Sequence, residues 1–293
     1  MRHQSQHRLF RRGRVKPSNY SCSGLEKLEV LALRTRISLD LYKRQGVKTL
    51  PKFCKPNLIV SGGSFKKETA GFRLAEYSFF VMENIKLIIF DLDGTLLDAY
   101  AAIDSSFNYL MRRLGLKTQS ASAVRRLVGW GDINLLKPYV PQGDLKHALS
   151  LYRHHHKYSL LKHSHLYPDV RRLLRHLKEK GYKLAVASNR PSEFSHILLK
   201  HLAIGSFFDY VLCADQSRHA KPHPEMLNKI VKRFALKKSQ ALYVGDMAID
   251  AQAGRRAKIN TVIVTSGSSS KLEIKKEQPF RIISAIGDLT DLF

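Results

Sequence analysis

Acidic residues are scarce in this 293-residue chain: 24 Asp+Glu stand against 50 Lys+Arg, a formal net charge of +26. The deficit is not local. Residues 1–81 carry 17 basic and 5 acidic side chains, and residues 82–293 carry 33 and 19. Such a field attracts phosphates, nucleic acid or anionic lipid, but it is also what a solvated basic surface looks like, and charge alone specifies no chemistry. Cysteine is nearly absent. Cys22, Cys54 and Cys213 are far apart and form no C-x-x-C, which argues against a disulfide framework or a zinc knuckle and fits a reducing compartment. Cys213, within the apolar run Tyr210–Ala214, reads as a small buried hydrophobe. No uninterrupted apolar run approaches the roughly 20 residues needed to span a bilayer. The expectation is a protein without a membrane partner, in the cytoplasm. Its hydrophobic fraction of 44% is ordinary for a globular fold.

The first 81 residues lack more than the rest. No acid occurs before Glu26, and no apolar period is sustained apart from Leu25–Leu33. Pro17, Pro51, Pro56 and Gly62-Gly63 interrupt what remains. The segment reads as a basic, poorly ordered extension. No apolar h-region follows its basic start, which argues against a secretory signal. Three readings stay open: a disordered tail, an organelle transit peptide, or translation that begins at Met82, five residues before the first convincing strand.

From Met82 onward a regular alternation is present. Strands are expected at Leu87–Phe90, Lys183–Ala187, Tyr210–Ala214, Ala241–Val244, Thr261–Thr265 and Arg281–Ile283. Helices are expected at Pro168–Lys180, Phe194–Leu202, Pro224–Phe234 and Ala248–Ala257. Strands alternating with helices of this length imply an α/β fold, a Rossmann-like parallel sheet with helices on both faces. Ligands of such sheets bind beyond the carboxyl ends of the strands.

The polar residues gather there. Asp91-Leu92-Asp93-Gly94-Thr95 follows the first strand, Ser188-Asn189 the second, and Gly245-Asp246 the fourth, with Asp250 four residues on; Lys221 lies between the third and fourth. Two aspartates one residue apart, then Gly, make a tight loop off a buried strand. Asp91 is placed to attack as a nucleophile while Asp93 serves the leaving-group oxygen as proton donor. Asp91 and Asp246 offer hard oxygen ligands suited to Mg²⁺, which would offset repulsion between carboxylate and phosphate. Ser188 is able to donate to phosphate oxygens, and Lys221 supplies a fixed cation.

DLDGTLLD at 91–98, VASN at 186–189, AKPHPE at 220–225 and VGDMAID at 244–250 resemble, in this order, the four motifs of the haloacid dehalogenase superfamily of hydrolases. The match runs from about Ile85 to the C-terminus. The resemblance implies a Rossmann-like core with Asp91 as nucleophile and Asp93 as general acid/base. It implies Ser188 and Lys221 on the phosphate, and Mg²⁺ held by Asp91, Asp246 and the main-chain carbonyl of Asp93. Asp250 would support the metal directly or through water, and Thr95 and Asn189 would line the pocket for substrate. Ser188 stands where many relatives have Thr; both carry the hydroxyl. Asp93 is absent from the dehalogenases, so its presence resembles the phosphatase and phosphomutase branches.

Between Asp98 and Tyr167 the sheet pattern pauses, and helices are expected at Ala101–Leu114, Ala121–Val128 and Asp144–Leu161. This resembles the helical cap, inserted after the first strand, of the phosphoglycolate phosphatase-like and β-phosphoglucomutase-like subfamily. The expected organisation is an extension at 1–81, a core at 82–98 and 166–293, and a cap at 99–165. Substrate choice would reside in the cap. In Val128-Gly129-Trp130-Gly131 the glycines mark a loop where backbone approaches something closely, either substrate at Gly129 or simply the next helix. Arg125 and Arg126 either bind a substrate carboxylate or line an exposed helix face. His154-His155-His156, with His163 and His165, reads as a solvated helix and not a metal site, because neighbours in a helix point apart.

The expected function is Mg²⁺-dependent hydrolysis of a small phosphorylated metabolite, resembling phosphoglycolate phosphatase. A pyrophosphatase, nucleotidase, sugar phosphatase or phosphomutase shares the same core residues. A nucleic-acid-binding protein on this scaffold has only the N-terminal charge behind it, so nucleic acid is not the expected partner. An inactive interaction module would have no need for carboxylates that repel one another. No motif residue falls in 1–81, and ordering the segment would cost about 1–2 kcal/mol of backbone entropy per residue. A protein beginning at Met82 should therefore fold and keep its kinetics, and limited proteolysis of the full chain should remove residues 1–81 first. Mass analysis followed by kinetics on the surviving fragment checks this; aggregation or lost activity would refute the boundary.

Overall fold

A computed structural model describes residues 82–293; the expected extension at 1–81 lies outside the described residues. The first strand, β1 (Leu87–Phe90), is buried on both faces, as its unbroken apolar sequence requires. Its side chains alternate between two cores. Ile88 and Phe90 join one hydrophobic cluster, Leu87 and Ile89 the other. After it come a two-residue strand β2 (Leu97–Asp98) and four helices: α1 (Tyr100–Arg113), α2 (Ala121–Arg125), α3 (Asp132–Leu136) and α4 (Leu145–His163). Strand β3 (His165–Leu166) pairs antiparallel with β2, closing the neck from which these helices depart.

The chain then alternates: α5 (Val170–Glu179), β4 (Lys183–Ser188), α6 (Ser192–His201), β5 (Tyr210–Cys213), α7 (Glu225–Arg233), β6 (Ala241–Gly245), α8 (Ala248–Ala257), β7 (Asn260–Val264), α9 (Lys271–Lys276) and β8 (Arg281–Ile283). Six strands form one parallel sheet in the order β5-β4-β1-β6-β7-β8. Helix α5 shows why the pattern works. Val170, Leu173, Leu174 and Leu177 form one buried stripe, and Gly181 at φ +84° turns the chain back into β4. Helices α5 and α6 cover the Ile88 face, while α7 and α8 cover the Leu87 face.

The order places β1 at the centre. From it the chain winds outward through β4 and β5, then returns to β6 and winds outward the other way. The carboxyl ends of β1, β4 and β6 therefore border the crevice at the topological switch point. Phe90 lies level with Val186 and Val244, so Asp91 leaves β1 one residue ahead of Ser188 and Asp246 on the neighbouring strands, at the same edge of the sheet.

Helices α1 to α4 enclose a hydrophobic cluster of their own, with Phe107, Leu110, Leu136, Ala148 and Tyr152 at its centre. Helix α2 ends at Arg125 and does not reach Val128, because the chain must turn there to bring Gly129 inward. Helices α3 and α9, and the pair β2–β3, are absent from the expected elements. The β2–β3 pair is too short for any periodicity. Helix α9 was legible by its cap: Ser270 accepts from the Glu273 N–H and the Glu273 carboxylate accepts from the Ser270 N–H.

Helix α8 approaches β7 through Gly254. A Cβ placed there would lie 1.7 Å from Thr261 Oγ1, a buried group bonded to the Ile259 carbonyl. Gly254→Ala should therefore destabilise the protein by about 1–3 kcal/mol through overpacking. Adding Thr261→Ala should recover part of that loss, since the clash is shared. Thermal melts of the two single variants and the double variant test this; strictly additive effects would refute the shared clash.

Candidate active site

The loop after β1 is shaped by one glycine. Gly94 adopts φ +82°, and a Cβ there would fall 2.1 Å from Asp246 Oδ2. Gly267 approaches the same oxygen, also at 2.1 Å for a built Cβ. Two glycines thus let backbone close around one carboxylate. Asp246 Oδ1 accepts from the Thr95 hydroxyl at 2.9 Å, whereas its buried Oδ2 has no hydrogen-bond partner among the described residues. Thr95 is fully buried and orients Asp246; it does not line the pocket.

Asp91, 7% exposed, meets Lys221 Nζ at 2.7 Å. Lys221 also reaches Asp250 at 2.8 Å and the Tyr243 hydroxyl at 3.0 Å. Burial disfavours the Lys221 charge, but Asp250 and Asp91 outweigh it and the net shift is upward. Burial raises Asp91, against the pull of Lys221, and raises Asp246 further with Asp250 and Asp91 adding repulsion. Oxygens of Asp91, Asp246 and Asp250 lie within 4.8 Å of one another. Proximity does not make the three equal. Asp250 accepts from Lys221 and Tyr243 on Oδ1 and from the Asp246 and Met247 N–H groups on Oδ2, so both its oxygens are engaged. Its geometry is that of a brace for Lys221 and the loop. Asp246 clusters with Asp91 and keeps one buried oxygen without a partner, so the pair offers hard oxygen donors, and Mg²⁺ fits this donor set.

Ser188 is buried, lines the same pocket and accepts from the Arg190 N–H at 3.2 Å. Asn189 works as a staple. Its Nδ2 donates to the Gly129 carbonyl at 2.8 Å and to the Lys221 carbonyl at 3.0 Å, and its Oδ1 accepts from the Lys221 N–H at 2.8 Å. The close approach expected at Gly129 is to the core: a Cβ there would lie 2.4 Å from Met247 Sδ. Gly129 and Gly131 line the pocket, while Trp130 is 42% exposed. Arg125 lies outside the pocket lining. Its guanidinium stacks 4.0 Å over Tyr100 and donates to the Ser266 carbonyl at 2.8 Å, joining α2 to the loop after β7.

Sequence reasoning missed three pocket residues. Arg190 is buried and clasps both oxygens of Asp93, at 2.8 and 2.6 Å. His156 meets Arg190 at 2.8 Å and is fully buried, so the solvated-helix reading of 154–156 is wrong at this position. His154 remains exposed, and His155 is half-buried against Tyr109. Asp132, at the start of α3, lines the pocket and pairs with Arg153 at 3.0 Å; burial raises its pKa, opposed by Arg190 and Arg153. A basic residue directly after Ser188-Asn189, at a strand's carboxyl end, was an available signal for Arg190. Nothing local marks His156, whose partners lie on other elements. The pocket closed by these groups has a volume of about 40 Å³, room for roughly three waters.

Oxygen ligands and a fixed cation at the switch point of a parallel sheet, roofed by a helical insert, define a Rossmann-like α/β hydrolase. The chain belongs to the haloacid dehalogenase-like hydrolases, whose family model matches residues 88–264. Similar curated proteins include the phosphoglycolate phosphatase of Nitrosococcus oceani, 30% identical over 72% of this chain and 98% of that protein, and that of Vibrio cholerae, 32% identical over 72% and 98%. The crystal structure of a predicted phosphoglycolate phosphatase from Haemophilus somnus superposes with a TM-score of 0.68 at 28% identity, covering 71% of this chain and 98% of that one.

If Asp246 supplies the free metal-facing oxygen, Asp246→Ala should abolish the heat of Mg²⁺ binding in calorimetry. Unaltered binding would remove Asp246 from the site.

Proposed function

We propose that the protein is a Mg²⁺-dependent phosphatase that hydrolyses a small, phosphoglycolate-like phosphate monoester through an aspartyl-phosphate on Asp91. The observation that carries this reading is Asp91 at the mouth of β1, charge-paired with Lys221 and facing a 40 Å³ pocket, beside a buried Asp246 oxygen with no partner. The names of the curated relatives point to the same reaction.

The chemistry divides into two displacements at phosphorus. An Asp91 oxygen attacks, the bond from phosphorus to the ester oxygen breaks, and the departing oxygen takes a proton from Asp93. Water then attacks the aspartyl-phosphate with Asp93 as base, releasing phosphate and restoring Asp91. Lys221, held by Asp250 and Tyr243, keeps its charge beside the phosphoryl oxygens with no reorganisation at the moment of reaction. Ser188 is placed to donate to one of those oxygens. Asp91, Asp246 and the Asp93 carbonyl would hold Mg²⁺, which when bound neutralises the phosphate and orients it for in-line attack. The roof of Ile103, Leu127, Val128 and Leu135 excludes bulk water, and Asn189 ties it down through Gly129.

A panel of phosphorylated metabolites, assayed with Mg²⁺ and with excess chelator, tests the proposal. Turnover should require the metal and favour short esters. Asp91→Asn should cut kcat by several orders of magnitude while the circular dichroism spectrum is retained. Near-full activity in that variant, or in excess chelator, would rule the mechanism out.

A further inference from the structure

Arg190 divides its guanidinium between two partners. Nε and Nη2 donate to the two oxygens of Asp93, and Nη1 donates to His156 Nε2 at 2.8 Å. A guanidinium has no acceptor, so Nε2 of His156 must carry a bare lone pair and the ring is neutral, with its proton on Nδ1. The remaining contacts agree. Nδ1 lies 3.1 Å from Ser106 Oγ, whose own hydroxyl donates to the Ala102 carbonyl at 2.9 Å. Burial, with Arg190 second, pushes His156 well below the usual imidazole range. Helices α1 and α4 of the insert thus aim a side chain that belongs to the core loop after β4.

The position of that fork matters for the substrate. Asp93 serves the ester oxygen in the proposed mechanism, and Arg190 lies directly behind it. A group carried on the ester carbon arrives next to the same place. Of the pocket-lining residues only Lys221 and Arg190 are cations, and Lys221 is committed to Asp91 and Asp250. An anion desolvated under the apolar roof needs a cation, and a planar fork matches a carboxylate in both charge and shape.

We propose that Arg190 is the specificity-determining residue for the leaving group. It exchanges Asp93 for a carboxylate on the alcohol part, and so selects phosphate esters of short hydroxycarboxylic acids over those of uncharged alcohols. His156 is its positioning residue. The inference rests on the phosphatase reading and extends it from the phosphoryl group to the other half of the substrate.

The test compares kcat/KM for phosphoglycolate and for 2-hydroxyethyl phosphate, which differ in a carboxylate against a hydroxymethyl group. The wild-type protein should favour phosphoglycolate. Arg190→Gln should shrink the ratio by about 10- to 100-fold, the factor for losing charge-assisted hydrogen bonds, with the rise in KM concentrated on phosphoglycolate. Arg190→Lys keeps the charge without the fork; it should give an intermediate ratio and serves as the readout if the Gln variant does not fold. A ratio unchanged in both variants, with both substrates slowed alike, would mean that Arg190 only holds Asp93, and would overturn the proposal while leaving the phosphatase reading intact. Wild-type preference for the hydroxyl-bearing ester would assign the leaving group to Asp132 instead and overturn it equally. Absence of turnover on any phosphate ester would overturn both readings.

Discussion

Three buried carboxylates that repel one another set the terms for the rest of this molecule. Asp91, Asp246 and Asp250 crowd the carboxyl edge of a sheet whose strands are apolar on both faces. Lys221 is the one buried cation among them, and it contacts two of the three. The backbone answers part of the remaining charge: Asp250 takes two N–H groups at the start of α8, while Asp246 keeps a buried oxygen without a partner, closely approached by Gly94 and Gly267. Such crowding offers hard oxygen donors to a cation, which is what the proposed Mg²⁺ would use. The position of β1 between β4 and β6 makes the crowding unavoidable, because their ends open on one crevice.

A second charge arrangement ties the helical insert to this edge. Arg190 reaches from the core, with Asp93 on one side and His156 of α4 on the other. The insert contributes to the site an apolar roof, one neutral imidazole, the Asp132 carboxylate and the backbone of a glycine loop. Substrate discrimination and seating of the insert are then two aspects of one set of contacts, since any ligand that competes for Arg190 also alters what holds α4 in place.

The sheet and the motif residues were largely legible in the sequence. Strand β1, helix α5 and helix α8 follow from periodicity, because each buries a complete face against the sheet. The family was legible because its motifs sit at strand ends, where backbone geometry leaves little choice of side chain. Roles within the motifs were less so. Thr95 and Asn189 were expected to line the substrate pocket; Asn189 does, Thr95 does not, and the polar atoms of both bond Asp246, Gly129 and the Lys221 backbone. Such tasks depend on distances across more than 30 residues of sequence and leave no local pattern. His156 shows the limit most plainly: its neighbours in sequence are polar and none is buried, and its partners Arg190 and Ser106 lie on other elements. Arg125, left open in the sequence between a substrate carboxylate and an exposed helix face, is held by Tyr100 and Ser266.

The loop that seats the insert makes its contacts through main chain and glycine, which leaves the residue between them free of that duty. That residue, Trp130, is the sole tryptophan of the chain and is 42% exposed. Its indole therefore sits on the insert's side of that contact, flanked by two positions that line the pocket. The intrinsic emission of the unlabelled protein is consequently a single-site optical gauge of whether that loop rests on the core, readable in a stopped-flow trace without attaching a dye.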